Sequence, residues 1–429
     1  MRKVFGIKKS PAEYVASCSR NLDTILDAKT LEEKKTKCFN KLENNLKDMS
    51  IMLYGDGETQ VSDAKITKLL NEVKGSSLVT RLVMNIQDLG FEIPKTISKI
   101  LCYWLHDKER VNMAIDYFKV NTQLIPHLVS HFEREEVYLP CSEVVKEALI
   151  HPELLKPFLP EKNDSDNIVF KVLDYVAMKD LAFSAEAYGM LDAIINCKLS
   201  KEHTLSKDKE TDHKKIVAKW LNSNFDEFWK KVHTFMEPNG SHLMIKQMLK
   251  LVYHILKNHR NYYVMIKYIN DASNLTRIMR LLRIRNKKIQ VMAFNVFKIF
   301  VANPQKDQSI IDILLPNREK IAKFFKTLGE DEELDGQFED DLEVLNEQLG
   351  VLDKLRTAPN NEDAKAEQKT ESNVAGTETT KDVESNTTQT TDKTSEMNAV
   401  PTTSVPDSNK PKLDSTSSTP EGNSETKKQ

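Results

Sequence analysis

Apolar residues recur at three- and four-residue steps along most of the chain, which is the spacing of one face of an α-helix. A helix start is predicted near the beginning, because Ser10 can cap, Pro11 suits the first helical position and Glu13 can close a capping box. The largely apolar stripe that follows consists of Tyr14, Cys18, Asn21, Leu22 and Ile25. The chain therefore opens with an amphipathic helix.

Further helices of about ten to twenty residues are predicted with short breaks between them, and the breaks fall at Gly and Pro. Their approximate spans are 31–53, 60–73, 77–89, 94–106, 109–119, 121–133, 137–150, 166–177, 180–197, 211–221, 223–236, 241–257, 260–269, 271–284, 286–302, 304–313, 315–328 and 338–356. None of these helices could bury its apolar face alone.

The rhythm of two or three helices in about forty residues is typical of helical solenoids of the HEAT or armadillo kind. We therefore predict an all-α fold, a curved helical-repeat solenoid, with a globular helical bundle as the alternative. Such a solenoid has a concave face that usually binds partners. One polar stretch, Ser200 to Lys215, is predicted to be an extended insertion loop.

Composition divides the chain into two parts. The last 73 residues, 357–429, contain no Phe, Tyr, Trp, Ile or Arg and carry a net charge of −5. Such a segment cannot bury enough apolar surface to offset its ordering entropy, so we predict a disordered, acidic, Ser/Thr-rich tail. Residues 1–356 form the predicted scaffold domain, whose net charge is +3 because the whole chain carries −2.

The five cysteines are scattered, with no short spacing between any two of them. No secretory signal opens the chain, and no window has the long apolar run of a membrane span. These features predict a soluble protein in a reducing compartment, with cytoplasmic localisation and no membrane insertion.

Motifs of catalysis or cofactor binding are missing from the sequence. There is no phosphate-binding GxxxxGK[ST] loop, no GxGxxG, no GxSxG and no HExxH. His127 and His131 have a spacing that two zinc ligands could use, and so do Cys102 and His106, but no third ligand accompanies either pair. We therefore predict no enzyme activity, no cofactor and no metal.

The strongest functional signal is a segregated basic segment, Met244 to Phe300. It holds twelve Lys or Arg residues and a single acid, Asp271. A solvated helix face normally mixes charges of both signs, because opposite pairs stabilise it and like pairs oppose it. Like charges concentrated on adjacent helices indicate an acidic partner.

Within the basic segment, Lys246 and Lys250 share one helix face, and Met279, Arg280 and Arg283 lie on the next helix but one. If those two helices are equivalent members of successive repeats, the two rows are neighbours. A groove with cationic walls and Met279 at its floor suits a short peptide with an apolar anchor and a carboxylate. The predicted peptide-binding residues are Lys246, Lys250, Met279, Arg280 and Arg283.

Two other interpretations of the basic segment stay open. Each cation taken singly fits a solvated face on which its stem covers core residues. The second interpretation is a nucleic-acid interface, because Tyr262, Tyr263 and Tyr268 could stack on bases between the cations. Against RNA, the chain has a pI of about 6.6, far below that of a typical nucleic-acid-binding domain. We predict no nucleic-acid partner.

Several stretches closely resemble one known family. The clearest are NVFKIFVANP (Asn295 to Pro304) and QSIIDILLPNREKIAKFF (Gln308 to Phe325), and others follow in the same order. These are FGIKKSPAEYV (Phe5 to Val15), MLYG (Met52 to Gly55), KQMLKL (Lys246 to Leu251), NYYVMIKYI (Asn261 to Ile269) and NLTRIMRLLR (Asn274 to Arg283). Together they resemble the mouse protein 25 family, also called calcium-binding protein 39, over about residues 5 to 356.

The resemblance implies a helical-repeat scaffold without catalytic activity. Members of that family bind sterile-20 and germinal-centre class kinases or related pseudokinases, and they hold the kinase domain in its active conformation. The family's groove takes a Trp-Glu-Phe-type C-terminal peptide while the concave face embraces the kinase domain. A further kinase completes a ternary complex in animals, and fungal relatives act in polarised growth and cell separation.

The resemblance also transfers to particular positions. The family's groove methionine falls on Met279, its arginine falls on Lys246, and its following lysine falls on Lys250. Lysine keeps the charge of arginine but loses the planar fork, so the contact at Lys246 should be weaker or differently oriented. A generic adaptor for acidic peptides, without kinase activation, is the remaining alternative.

Overall fold

Helices that stack in groups of three build the chain. The computed structural model describes residues 9–55, 61–160, 167–197, 205–329 and 336–357, and within the last range it describes the side chains of 340–351. These residues form α-helices, three short 3-10 turns and no strand. Apart from Thr357, the predicted tail lies outside the described residues.

The described helices fall into repeats, each with a first, a second and, in most cases, a third helix. The first three repeats are α1 (Pro11–Leu26), α2 (Glu32–Tyr54) and α3 (Asp63–Lys74); α4 (Leu78–Met84), α5 (Glu92–His106) and α6 (Val111–Val120); and α7 (Leu124–Ser130), α8 (Tyr138–Leu149) and α9 (Pro152–Leu155). The next two are α10 (Ile168–Val176), α11 (Leu181–Asn196) and α12 (Lys207–Ser223); and α13 (Phe225–Thr234), α14 (His242–Lys257) and α15 (Tyr262–Ile269). The last four helices are α16 (Ala272–Leu282), α17 (Lys287–Ala302), α18 (Gln308–Gly329) and α19 (Gly336–Thr357).

Equivalent helices of successive repeats pack on one another. The second helices form the longest row, in which α2 packs on α5, α5 on α8, α8 on α11, α11 on α14, α14 on α17 and α17 on α19. The third helices α3, α6, α9, α12 and α15 form a parallel row, and first helices do the same from α1 to α13 and from α16 to α18. This arrangement confirms the predicted helical-repeat solenoid, with the three-helix repeat of the armadillo kind.

Polar bonds between repeats fix how the helices are stacked. Ser98 of α5 donates to Glu143 of α8 at 2.8 Å, and Ser142 of α8 donates to Glu186 of α11 at 2.5 Å. Both pairs join residues 44 or 45 positions apart, which is one repeat along the chain. Because each bond requires one particular register, slipping a helix by a turn would break it.

The helix starts follow the capping chemistry that the sequence predicts. Ser10 accepts a hydrogen bond from the Glu13 backbone N–H, and the Glu13 carboxylate accepts one from the Ser10 backbone N–H, so the capping box is confirmed. Later helices use the same device: Asp271 caps α16 and Asn286 caps α17. These side chains satisfy backbone donors that have no partner inside the helix.

One buried ionic network joins α3 and α6, which are the third helices of the first two repeats. The Arg110 guanidinium, just before α6, donates to Asp107 at 2.6 Å and to Thr67 of α3 at 2.9 Å, and it also pairs with Asp63. The side chains of Arg110 and Asp107 are each only 8% exposed. Burying these charges is tolerable only because each is paired and hydrogen-bonded.

The extended loop predicted from Ser200 to Lys215 is wrong over its second half. Helix α12 begins at Lys207, and Ser206 caps it by accepting a hydrogen bond from the Lys209 backbone N–H. Lys214 pairs with Glu210 one turn earlier, and His213 is fully buried. The polar composition of this segment comes from a solvated helix face, because only one side of α12 faces the core. The residues 198–204 lie outside the described part of the chain.

The predicted break near Leu315 is also wrong, because α18 runs through Pro316. Proline removes one backbone N–H and normally kinks or ends a helix. Pro316 leaves the Asp312 carbonyl oxygen without its usual helical donor, and beside it the Asn317 side-chain amide donates to the Ile313 carbonyl oxygen at 2.8 Å. Within the described residues, none of the helices combines the length and the apolar character that crossing a bilayer demands.

Replacing Arg110 by Met should lower the free energy of unfolding by about 3 kcal/mol, because it leaves the Asp107 carboxylate buried without its counter-charge. Urea denaturation followed by circular dichroism measures the loss. The matched control is Arg81→Met, which breaks an exposed pair with Asp23 and should cost less than about 1 kcal/mol. Equal losses in the two variants would contradict the buried-network assignment.

Acidification should destabilise the fold partly through His213, because burial lowers the pKa of its imidazole from 6.5 to about 4. Between those values the unfolded chain binds the proton and the folded chain does not, so this contribution is complete above pH 6.5 and declines toward pH 4. We expect His213→Leu to reduce the loss of unfolding free energy between pH 7 and pH 5 by about 2 kcal/mol.

Urea unfolding at both pH values checks this expectation. The control is His259→Leu, which removes an imidazole ring that is exposed to solvent. If His213→Leu leaves the pH dependence of the unfolding free energy unaltered, then His213 is not buried in its neutral form.

Candidate peptide-binding pocket

A small open pocket lies between the first helices α16 and α18, near the C-terminal end of the described stack. Its cavity is about 160 Å³. The lining residues, which we call the anchor pocket, are Met279, Leu282, Arg283, Asn317, Lys320, Ile321, Phe324 and Phe325. Met279 and Phe324 are partly buried apolar side chains that remain accessible, so the pocket can accept a further apolar group.

The interior behind the pocket is aromatic. Phe325 is fully buried and packs against Phe294 and Phe297 of α17, with ring centroids 4.8 and 5.4 Å apart. Phe324 packs edge-on against Phe325 at 5.2 Å. The NVFKIFVANP motif therefore supports the pocket from the core, while the apolar groups that a ligand could touch come from α16 and α18.

The charge at the anchor pocket is entirely positive. Arg283 directly follows α16, Lys320 lies on α18, and both side chains are exposed. Among the described residues, no carboxylate is within ion-pair distance of either cation, and the pairs nearby are Arg318 with Glu319 and Lys298 with Asp341. An apolar cavity beside two unpaired cations suits a ligand that carries an apolar group and a carboxylate.

Of the five predicted peptide-binding residues, the structure brings Met279 and Arg283 together in this pocket. Lys246, Lys250 and Arg280 are exposed, and none of the three lines it. The expected equivalence of the two basic helices is wrong: α14 is a second helix and stacks on α17, whereas α16 is a first helix. The sequence could not reveal this, because helix order alone does not fix which helix of a repeat each one is.

The basic segment divides into cations that are paired and cations that are not. Lys267 of α15 pairs with Asp226 of α13, Arg277 of α16 pairs with Glu237 in the connection before α14, and Lys298 of α17 pairs with Asp341 of α19. Within the described part of the chain, eight exposed cations of this segment have no carboxylate at ion-pair distance: Lys246, Lys250, Lys257, Arg260, Arg280, Arg283, Arg285 and Lys288. The segment thus helps to hold repeats together and also leaves a positive surface.

Sequence reasoning missed six of the eight residues that line the anchor pocket. Four of them, Asn317, Lys320, Ile321 and Phe324, come from α18 and lie on one face at steps of one, three and four residues. They belong to the stretch that carried the family resemblance, but the charge imbalance that directed attention to Met244–Phe300 ends before α18. A search for half-buried apolar side chains flanked by unpaired cations could have found them.

The stacking role suggested for Tyr268 is wrong. This residue has no exposed surface, and its ring packs on Trp229 with centroids 4.3 Å apart. Only Tyr262 and Tyr263 are exposed, at 54% and 77%. Two adjacent exposed rings on one short helix do not make a row along which successive bases could stack.

The histidine pairs noted in the sequence have other partners. His131 lies 4.3 Å from His127 between ring centroids, but its ring nitrogens contact the His127 carbonyl oxygen and Gln87. His106 pairs with Glu147 of the next repeat at 2.6 Å. No group of three or more His, Cys, Asp or Glu side chains in the described residues has an arrangement that could hold a metal ion.

The fold and the pocket together define a helical-repeat protein of the armadillo kind with an open, cation-rimmed apolar pocket near the end of its stack. Comparison with known families gives a more specific result. Residues 3–353 match the Mo25-like family, and the chain belongs to that family. The resemblance inferred from NVFKIFVANP and the other stretches is thereby confirmed.

The relatives cover nearly the whole helical part of the chain. Calcium-binding protein 39-like from Homo sapiens is 29% identical over 353 residues, which are 82% of this chain and 97% of that protein. Mo25-like protein from Schizosaccharomyces pombe is 30% identical and covers 80% of this chain and 97% of its own length. Conidiophore development protein hymA from Emericella nidulans is 26% identical, with 82% and 94% covered.

The cations at the start of α17 should cost stability. The first turn of α17 carries Lys287 and Lys288 and no acid, which is unfavourable at the positive end of the helix dipole. We expect Lys288→Glu to raise the free energy of unfolding by about 0.5 to 1 kcal/mol at low salt, and less at high salt.

The control for this prediction is Lys326→Glu, because Lys326 lies in the last turn of α18 and the sign of the dipole is reversed there. That variant should be destabilised by a similar amount in urea unfolding. A loss of stability in Lys288→Glu would contradict the electrostatic description of this surface.

Proposed function

We propose that this protein is a non-catalytic, cytoplasmic scaffold that binds a sterile-20 or germinal-centre class kinase, or a related pseudokinase, and holds it in its active conformation. A C-terminal peptide of the Trp-Glu-Phe type docks in the anchor pocket, and the kinase domain binds another face of the stack. Membership of the Mo25-like family supports this function. The name of the hymA relative, a conidiophore development protein, supports a role in cell polarity and morphogenesis.

The observation that carries the proposal is the composition of the anchor pocket. Met279 and Phe324 offer an apolar surface to an aromatic ring, and methionine adapts its shape to irregular groups. Arg283 and Lys320 stand at the same opening and can donate hydrogen bonds to a glutamate side chain or a terminal carboxylate. An aromatic, acidic, C-terminal peptide satisfies both halves of this site at once.

Lys246, Lys250 and Arg280 act at longer range in this proposal. They are exposed and lie outside the anchor pocket, so they would raise the local concentration of an acidic peptide without touching its anchor. Salt weakens this attraction, because charges more than about 10 Å apart are largely screened from each other at about 0.1 M ionic strength. Lysine at 246 suits this role, because a point charge needs no fixed fork geometry.

Tyr262 and Tyr263 of α15 are the best candidates for contact with a folded kinase domain. Aromatic residues are enriched at the centres of protein interfaces. The two rings contact each other edge-on with centroids 5.8 Å apart, so they form one apolar surface. This surface lies in the row of third helices, whereas the anchor pocket lies in the row of first helices.

The pocket is tested with a fluorescent Trp-Glu-Phe-type peptide and purified protein. Met279→Ala should weaken binding by about tenfold because it removes the apolar floor, and Arg283→Glu by about tenfold to a hundredfold because a charge-assisted bond is replaced by repulsion. The matched control is Arg285→Glu, which makes the same charge change two residues away and outside the pocket. Equal losses at 283 and 285 would mean that the pocket is not the docking site.

Activation is tested separately from binding. Adding the protein to a purified sterile-20 class kinase should raise its phosphorylation rate, and Met279→Ala combined with Lys246→Glu should abolish the increase at moderate protein concentration. Peptide binding without any rate increase would instead establish an acidic-peptide adaptor. Absence of both would refute the proposal.

A further inference from the structure

A second groove lies on the opposite side of α16, between α16 and α13. It occupies the cleft between first helices one repeat before the anchor pocket, and its cavity of about 500 Å³ is larger. The residues that matter here, which we call the upstream groove, are Asp226, Trp229, His233, Glu237, Ser273 and Arg277. Helix α16 is therefore a shared wall, with one open cleft on each side.

Three arginines connect the two clefts across the surface of α16. Arg277 lines the upstream groove, Arg283 lines the anchor pocket, and Arg280 lies between them. Residues three apart on a helix are neighbours, so the three side chains form one oblique row over the helix. Arg280 is exposed, and no carboxylate of the described residues lies within ion-pair distance of it.

The upstream groove contains hydrogen-bond donors that lack acceptors. The indole N–H of Trp229 and the Nε–H of Arg277 are both buried, and neither has an acceptor within the described residues. Trp229 lines the groove although only 3% of its surface is exposed, so a ligand reaches its N–H only when the groove wall shifts slightly. A buried donor without an acceptor is costly, and a ligand that supplies a carbonyl oxygen would recover that cost.

The charges in the upstream groove are balanced, unlike those of the anchor pocket. Asp226 pairs with Lys267 at 3.1 Å, and Glu237 pairs with Arg277 at 2.8 Å. The other charged residues of the lining, Lys230 and Asp271, have opposite signs. The groove therefore offers no net charge to a ligand, and its unsatisfied N–H groups select a neutral acceptor. The carbonyl oxygens of an extended peptide backbone have that chemistry.

We propose that the upstream groove binds the main chain of the partner segment immediately N-terminal to the anchor residues. From the anchor pocket this segment crosses α16, where one of its acidic side chains pairs with Arg280. Its backbone carbonyl oxygens then accept hydrogen bonds from Trp229 and Arg277. Packed helices lie about 8–10 Å apart, and an extended chain advances about 3.3 Å per residue, so roughly three residues cross α16. The inference rests on the proposed function, because it takes the anchor pocket as the end point.

The test compares two peptides that share the same C-terminal anchor. One contains only the anchor residues, and the other extends about six residues further toward its N-terminus with an acidic residue in the crossing stretch. Fluorescence anisotropy competition should show the longer peptide binding at least about tenfold more tightly to the unaltered protein. Equal affinity of the two peptides would overturn the inference.

Trp229→Phe removes the indole N–H while keeping an aromatic ring. It should weaken the longer peptide by about threefold to tenfold and leave the short one unchanged. The matched control is Trp220→Phe, because Trp220 also has a buried N–H without an acceptor but is packed between Phe170 and Phe228 in the core. An effect of equal size in both variants, or none in Trp229→Phe, would overturn the inference.

A second variant protects the test against a folding defect in Trp229→Phe. Ser273 is exposed at the start of α16, and Ser273→Trp should fill the groove without disturbing the core. We expect this variant to abolish the advantage of the longer peptide and to bind the short one normally. Retention of the full length advantage in Ser273→Trp would contradict the proposed path.

Nuclear magnetic resonance separates this inference from the proposed function. The chain has three tryptophans, so its indole N–H spectrum is simple, and Trp229→Phe assigns the relevant signal. The Trp229 signal should move when the longer peptide is added and stay in place with the short one. If neither peptide binds, the proposed function fails too. If both bind through Met279 and the signal stays still, only the upstream groove is rejected.

Discussion

The stacking of equivalent helices is the interaction on which the rest of this structure depends. Each repeat has more apolar surface than its own two or three helices can cover, so the next repeat must cover the remainder. The second helices form the central row, and buried residues from Tyr14 to Leu349 join into one continuous core. Because first helices are held at the spacing of their repeats, the clefts between them are determined by the stacking and not by local sequence. The anchor pocket is the last such cleft among the described helices.

The basic segment serves this architecture in two ways. Lys267, Arg277 and Lys298 each pair with an acid on another element, and the pair of Arg277 with Glu237 joins two successive repeats. The exposed cations around the C-terminal end of α16 and the start of α17 have no such partner. Repulsion among them and with the helix dipole works against folding. A surface that costs stability in this way is what the binding of an acidic partner would explain.

Helix α16 is the element that relates the two clefts. Its apolar residues Leu275, Ile278 and Leu281 are buried, and its polar residues divide between the faces toward α13 and α18. One helix can thus present Met279 to one ligand segment and Arg277 to another. The two clefts differ in chemistry: the anchor pocket is apolar with unpaired positive charge, and the upstream groove is polar with balanced charge. Together they suit an extended peptide whose end is aromatic and acidic.

The sequence by itself determined the helices, most of their ends, the repeat class and the family, because these depend on apolar periodicity, capping residues and motifs that are local in the chain. It also identified Met279 and Arg283. It erred where long-range packing decides: His213 makes a polar stretch helical by being buried, and Pro316 stays inside α18. Only the tertiary structure decided that α14 and α16 occupy different positions in their repeats, and that Lys320 and Phe324 complete the pocket. Such pairings join residues about forty positions apart, and no local pattern records which helix faces will meet.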